Sequence, residues 1–150
     1  MNISLREITP ENFKECINLK VSDSQKDFVA PNVVSIAWSK VYPTANIFAV
    51  YSDEKLVGFV MFGYDNEDEH YYLGRLMIDE KFQGKGFGKA ATLAVIEELK
   101  KTDDCKEIYL SFVPENTNAE KLYKSVGFER TGDLNGNEIV MRYKINNVNP

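Results

Sequence analysis

One segment constrains this chain more than any other: Gln83-Gly84-Lys85-Gly86-Phe87-Gly88-Lys89-Ala90. Its three glycines alternate with other residues directly after an apolar, strand-like run, Leu73–Asp79, and a helical pattern follows at once. Such a loop exposes successive backbone N–H groups, because glycine accepts backbone angles that other residues avoid and lets a ligand approach closely. The helix behind it adds free N–H groups and the positive end of its dipole. Together they form a cradle for an anion, usually phosphate. The fold must therefore end a strand beside a helix N-terminus and leave open the space in front of both.

Hydrophobic periodicity supplies the remaining elements. Ile3, Leu5 and Ile8 alternate as in a first strand. Thr9-Pro10-Glu11 reads as a helix start with Thr9 as cap, and Phe13, Ile17 and Lys20 fall on one side of that helix. An irregular link over 22–32 leads to a helix over Val34–Val41, whose apolar face is Val34, Ala37, Trp38 and Val41. Ile47–Tyr51 and Leu56–Tyr64 form a hairpin pattern around Asp53-Glu54-Lys55, and a polar loop, Asp65–His70, leads to the strand Tyr71–Asp79. The helix Lys89–Lys101 is apolar almost all round, which predicts a well-covered element. A strand over Ile108–Val113 and a helix over Asn118–Val126, stopped by Gly127, come next. Phe128–Leu134 and Glu138–Ile145 close the chain as a hairpin around Asn135-Gly136, with Asn146–Pro150 as a frayed tail. This order predicts one mixed α/β (α+β) domain over residues 1–150 with a largely antiparallel sheet, rather than a doubly wound fold.

Composition narrows the function classes. The 150 residues carry a net charge of −5, which argues against nucleic acid and suits a cationic substrate. No apolar run reaches the roughly 18 residues that span a membrane, and the N-terminus lacks a signal-peptide pattern, so a cytoplasmic protein is expected. Cys16 and Cys105 read as two reduced thiols. His70 is the single histidine, and a zinc site needs more Cys and His ligands than this chain offers, so no metal is expected.

The glycine loop fits neither of two familiar phosphate motifs. A P-loop needs four residues between its glycines and then Lys-Ser/Thr, whereas Gly86 follows Gly84 too soon and Ala90 follows Lys89. A dinucleotide fingerprint needs its third glycine one position beyond Gly88 and usually opens the domain. A purely structural glycine turn stays open on the loop alone. A second run, Glu115-Asn116-Thr117-Asn118-Ala119-Glu120-Lys121-Leu122-Tyr123-Lys124-Ser125-Val126-Gly127-Phe128, points further. Asn118 or Thr117 caps its helix, and Ala119, Leu122 and Val126 form the core face. Tyr123, next to Leu122, is free to turn toward the end of the sheet.

With both runs in this order, about thirty residues apart, the chain resembles the GNAT superfamily of acyl-CoA-dependent N-acetyltransferases. Gln83-Gly84-Lys85-Gly86-Phe87-Gly88 matches that family's Gln/Arg-x-x-Gly-x-Gly/Ala loop, and Asn116…Asn118-Ala119…Leu122-Tyr123…Gly127-Phe128 matches its second cofactor motif. The resemblance implies a GNAT-like fold, with a central sheet of about seven strands flanked by about four helices, and acetyl-CoA as cosubstrate. It implies that the backbone of Gly84–Lys89, with Phe87 in the loop, binds the pyrophosphate, that Lys85 and Lys89 add charge there, and that Lys121 and Lys124 approach the adenosine end. Leu76, Met77 and Ile78 would offer backbone groups to the pantetheine arm where two parallel strands, Tyr71–Asp79 and Glu107–Val113, splay apart. Asn116 and Asn118 would bind the arm or order the loop. Tyr123 stands at the family's position for the acid that meets the leaving thiolate; packing against CoA is its alternative role.

Within the superfamily the chain is most similar to bacterial diamine and polyamine (spermine/spermidine) acetyltransferases. The segments that carry this are Gln25…Phe28-Val29-Ala30-Pro31-Asn32, Leu76-Met77-Ile78-Asp79 and Gly136-Asn137-Glu138…Val140-Met141, where Asn137 intervenes between the expected Gly and Glu. A small-molecule amine is the implied partner, and a homodimer is compatible with this likeness. Glu138 and the acidic run Asp65, Glu67, Asp68, Glu69 are candidate contacts for a polycation. Phe28, with Trp38 and Tyr42, is a candidate wall for its methylenes. An antibiotic or protein amine as acceptor, and a non-catalytic acyl-CoA-binding module, are the competing readings.

Overall fold

The computed structural model describes residues 2–145, so the tail at Asn146–Pro150 lies outside the described residues. Seven strands form one sheet: β1 (Ile3–Arg6), β2 (Ala45–Ser52), β3 (Lys55–Asp65), β4 (His70–Ile78), β5 (Glu107–Phe112), β6 (Glu129–Asn135) and β7 (Glu138–Lys144), in the order β1-β2-β3-β4-β5-β7-β6. Every neighbouring pair is antiparallel except β4 and β5. Four helices flank it: α1 (Phe13–Asn18), α2 (Asn32–Val41), α3 (Phe87–Lys100) and α4 (Thr117–Val126).

β3 explains why the sheet is covered on both faces. Its run Leu56–Phe62 is apolar at every position but Gly58 and almost wholly buried, the pattern of a strand with two dry faces. Val57, Val60 and Phe62 pack with Val95, Ile96 and Leu99 of α3 and with Ile108, Phe128 and Met141. Leu56, Phe59 and Met61 belong to a smaller core with Cys16 of α1 and Met77 of β4. Each such side chain contributes about 1.5–3 kcal/mol.

β4 carries a bulge at Gly74: Phe62 pairs with Leu73, and Met61 already pairs with Arg75. A Cβ on Gly74 would stand 2.9 Å from the Tyr72 ring and 3.1 Å from the Met61 methyl, so any larger residue at the bulge would have to shift both side chains. The bulge sits where β4 parts from β5. The two strands pair only at Tyr71↔Ile108 and Tyr72↔Tyr109, and then diverge. The sheet is split in its middle, and the split is the place to look for chemistry.

Four readings at the element level need correction. Thr9 does not cap α1: Pro10–Asn12 form a turn, and the Thr9 N–H donates to Asn12 Oδ1 at 2.8 Å. The core residue of α1 is Cys16, while Phe13 is exposed. α2 is inverted relative to its apolar periodicity. Asn32 and Ser35 are buried, and Val34, Trp38 and Val41 face outward. Asn32 Nδ2 donates to the Cys16 carbonyl at 2.9 Å, which satisfies a buried acceptor at the end of α1 and fixes which face turns in. In α3, Leu93 is exposed despite the near-continuous apolar sequence.

Candidate active site

The glycine loop and α4 converge on the split. Asp79 ends β4, buried, and accepts from the backbone N–H groups of Lys20 and Lys81 at 3.0 Å each. Gln83 donates from Nε2 to the Ile78 carbonyl and to Gln25 Oε1, both at 2.9 Å, which ties the loop to the end of β4 and to the segment before α2. Gly84 and Gly86 adopt left-handed φ of 77° and 86°. Gly86 is the N-cap of α3, so the loop feeds directly into the open helix end. Nothing lies within 4 Å of a Cβ added at Gly84. At Gly88 such a Cβ would meet only side-chain carbons of Leu122, at 3.5 Å, and Ile78, at 4.0 Å, both ordinary contacts.

On α4, Asn116 rather than Asn118 or Thr117 is the N-cap, accepting from the Ala119 N–H at 3.2 Å. Gly127, at φ 123°, ends the helix, and its N–H bonds to the carbonyls of Tyr123 and Lys124. Tyr123 is held edge-on to Phe128 at 5.6 Å and tilted to Phe112 at 6.5 Å. Burial pushes its phenol above the ordinary value, so the hydroxyl stays protonated.

These elements enclose a cleft of about 300 Å³. Its lining includes Gln83, Gly84, Gly86, Phe87 and Gly88 from the loop, Leu76, Met77 and Ile78 from β4, Asn116, Asn118, Ala119 and Tyr123 around α4, and Phe28. Lys85, Lys89, Lys121 and Lys124 are all exposed and stand outside this lining. Lys85 lies 6.0 Å from the Phe82 ring centroid, and Lys124 pairs with Glu120 at 3.2 Å. The Met77 side chain is buried in the smaller core, so its backbone is the part available to the cleft. Beyond Tyr72, β4 has no ladder partner on the β5 side.

A second cavity, about 110 Å³, continues from the cleft into the split. Phe28, Leu76, Asn116 and Tyr123 line both, and Arg75, Ser111 and Glu138 line only the second. A third, about 750 Å³, shares Gly74, Arg75, Ser111 and Glu138 with the second and adds Asp65, Asp68, His70 and Asp133. Glu138 accepts from the Ser111 hydroxyl at 2.7 Å. Donor atoms of Asp65, Asp68 and His70 lie within 4.8 Å of one another. His70 stacks on Tyr109 at 4.4 Å. Glu67 and Glu69 do not line this cavity, and Trp38 and Tyr42 stack on each other at 4.3 Å without lining any of the three. Arg75, Ser111 and Asp133 are among the lining residues that sequence reasoning missed. Arg75 sits next to a quoted motif, and the single signal of the bulge that shifts its register was the lone Gly74 within a strand pattern.

The glycine loop at the N-terminus of α3, the β4 edge without a ladder partner and Tyr123 thus all meet at one cleft beside the split in the sheet. The chain matches the acetyltransferase (GNAT) family over residues 5–128 and belongs to it; it is an acetyltransferase. It is 33% identical to a spermine/spermidine N(1)-acetyltransferase of Bacillus subtilis (strain 168), across 95% of this chain and 99% of that protein. Among solved structures, an N-acetyltransferase of Thermoplasma acidophilum in complex with coenzyme A superposes with a TM-score of 0.71 at 18% identity, covering 97% of this chain and all of that one. An aminoglycoside acetyltransferase in complex with coenzyme A gives 0.78 at 16% identity, covering 95% of each chain. These two likenesses establish the fold.

Proposed function

We propose that this chain transfers an acetyl group from acetyl-CoA to a primary amine of a small polycation such as spermidine, spermine or a diamine. The observation that carries the acceptor is the large cavity on the far side of the split. Asp65, Asp68, Asp133 and Glu138 gather there, and it joins the cavity that Tyr123 lines. One carboxylate about 4 Å from an ammonium gains about 1 kcal/mol in water and about 4 kcal/mol at an effective dielectric near 20, so several select a polycation over a monoamine. The spermine/spermidine acetyltransferase relative, matched along nearly its whole length, supports the same acceptor.

The bound cosubstrate supplies an acetyl thioester. The left-handed Gly84 and Gly86, the open space at Gly84 and the free end of α3 suit its pyrophosphate. The unpaired edge of β4 at Leu76–Ile78 offers N–H and C=O groups to the pantetheine arm, and an N–H from the same edge can meet the developing oxyanion. Asn116 and Asn118 line the same cleft, whereas Lys85, Lys89, Lys121 and Lys124 stand outside its lining and would act on the phosphates only at longer range. Tyr123 donates a hydrogen bond to the leaving sulfur. A phenol has a pKa near 10 and a thiol near 8.5, so complete transfer is uphill unless the tyrosine regains a proton from the attacking nitrogen as it gives one up.

The test is a panel of amines with acetyl-CoA, scored by free thiol release. Spermidine or spermine is expected to show a higher kcat/KM than a monoamine of similar length. Turnover of an aminoglycoside or a peptide amine without polyamine turnover would replace the acceptor, and binding of CoA without any turnover would leave only an acyl-CoA-binding module.

A further inference from the structure

The reaction consumes a neutral amine, yet an alkyl ammonium with a pKa near 10.4 is almost wholly charged at pH 7. Something in the site must take a proton before the nitrogen attacks. Among the described residues lining the cavity inside the split, three carry titratable side chains: Arg75, Tyr123 and Glu138. An arginine side chain has donors and no acceptor. Tyr123 is a half-buried phenol that holds its proton and, on the proposed mechanism, is already committed to the leaving group. That leaves one acceptor.

We propose that Glu138 is the proton acceptor for the incoming amine, directly or across one water, and that Ser111 is its positioning residue. Three features fit this role. Glu138 lines both the cavity shared with Tyr123 and the outer acidic cavity, so it faces the amine on one side and an exit for the proton on the other. The Ser111 hydroxyl holds Oε1 at 2.7 Å, while Oε2 carries no side-chain hydrogen bond among the described residues. β7 is fixed to β5 by a continuous register from Glu107↔Lys144 to Phe112↔Ile139, and Glu138, the first residue of β7, lies one position beyond it, paired with Asn135 of β6 and tied to β5 through Ser111. The groups around it are Arg75 and Tyr72 on β4, Tyr109 on β5, Asp133 on β6, Tyr123 on α4, and the Asp65–His70 turn. This role rests on the amine-acetylation reading and not on the polyamine acceptor.

The balance is as follows. The ammonium gives one proton to the Glu138 carboxylate. The freed lone pair forms the C–N bond to the acetyl carbon, and the C–S bond breaks with its electron pair on sulfur. Sulfur takes the Tyr123 proton, and the second nitrogen-bound proton replaces it on the phenol. The Glu138 proton leaves through the outer cavity to solvent. The products are the amide, the free thiol and one proton.

The experiment compares wild type with Glu138→Gln, Glu138→Asp and Ser111→Ala, using a monoamine and whichever panel amine turns over fastest. Two readouts are taken: the pH profile of kcat/KM, and amine affinity by calorimetry with CoA in place of acetyl-CoA. A proton acceptor predicts a fall in kcat of about 10²–10⁴-fold in Glu138→Gln for both amines, with amine affinity held within a few-fold for the monoamine. Only the neutral amine then reacts, so log kcat/KM climbs with unit slope through neutral pH toward the amine pKa. Glu138→Asp should keep the flat neutral region at a reduced rate, and Ser111→Ala should lie between wild type and Glu138→Gln. If Glu138→Gln instead weakens polyamine affinity while kcat and the pH profile stay as in wild type, Glu138 is an anchor and the inference is overturned. Failure of the polyamine acceptor would show separately, in the panel, and leaves the slope test intact.

Discussion

Tyr123 and Gly88 are the residues at which the site can be tested with the least collateral change. Tyr123→Phe keeps the ring contacts with Phe112 and Phe128 and removes only the hydroxyl. If that hydroxyl serves the leaving sulfur, kcat falls by about 10²–10⁴-fold while CoA affinity barely moves; an unchanged kcat with chemistry rate-limiting would reduce Tyr123 to packing. Gly88 is a better probe of the cradle than Gly86. Gly86 holds φ 86°, so any side chain there adds backbone strain of about 1–2 kcal/mol. Gly88 has an ordinary helical backbone, with only Leu122 and Ile78 near an added Cβ, yet it lines the cleft. Gly88→Leu should therefore fold with little change in midpoint and lose CoA binding in a calorimetric titration. Retained affinity would move the phosphate site elsewhere.

Among the elements, α4 and α2 show two kinds of attachment. α4 is clamped to β6 by Glu120, which receives Arg130 Nη2 at 2.7 Å and sits beside Lys124. Arg130, with Lys124, holds the Glu120 carboxyl down to about 2. A carboxylate with a depressed folded-state pKa stabilises the fold above its unfolded value near 4.3, and that contribution disappears as pH falls from about 5 to about 2. Thermal midpoints of wild type should drop across that window more than those of Glu120→Gln; parallel curves would show that the exposed clamp contributes nothing measurable. α2 depends instead on Asn32. Asn32→Leu leaves the Cys16 carbonyl with only the longer bond from the Leu19 N–H, at 3.3 Å, and should cost about 0.5–1.5 kcal/mol in urea unfolding. The same residue marks where the sequence stopped being legible. Strands and α3 were readable because their apolar periods report burial directly, and the glycine loop and the start and stop of α4 were readable because glycine and capping residues have local causes, although the cap itself is Asn116 rather than Asn118 or Thr117. The inward face of α2 was not, because its polar residues answer to a carbonyl on another helix. Nor was the Ser111–Glu138 pair, which exists only through the β5–β7 register, 27 positions apart in the chain.

For the whole molecule, the net charge of −5 and the carboxylates at the outer cavity predict that polyamine preference is partly electrostatic. Raising ionic strength from about 0.01 M to about 1 M shortens the Debye length from about 30 Å to about 3 Å. The ratio of kcat/KM for spermidine over a monoamine should fall along that series, and a salt-independent ratio would place the selectivity in shape instead. The parting of β4 from β5 has a kinetic consequence as well. The cleft beside α3 and α4 and the acidic cavity share no lining residue and are joined through the smaller cavity inside the sheet, so on the proposed assignment neither reactant has to leave before the other enters. Initial-rate plots should intersect rather than run parallel. Free CoA should compete with acetyl-CoA and not with the amine.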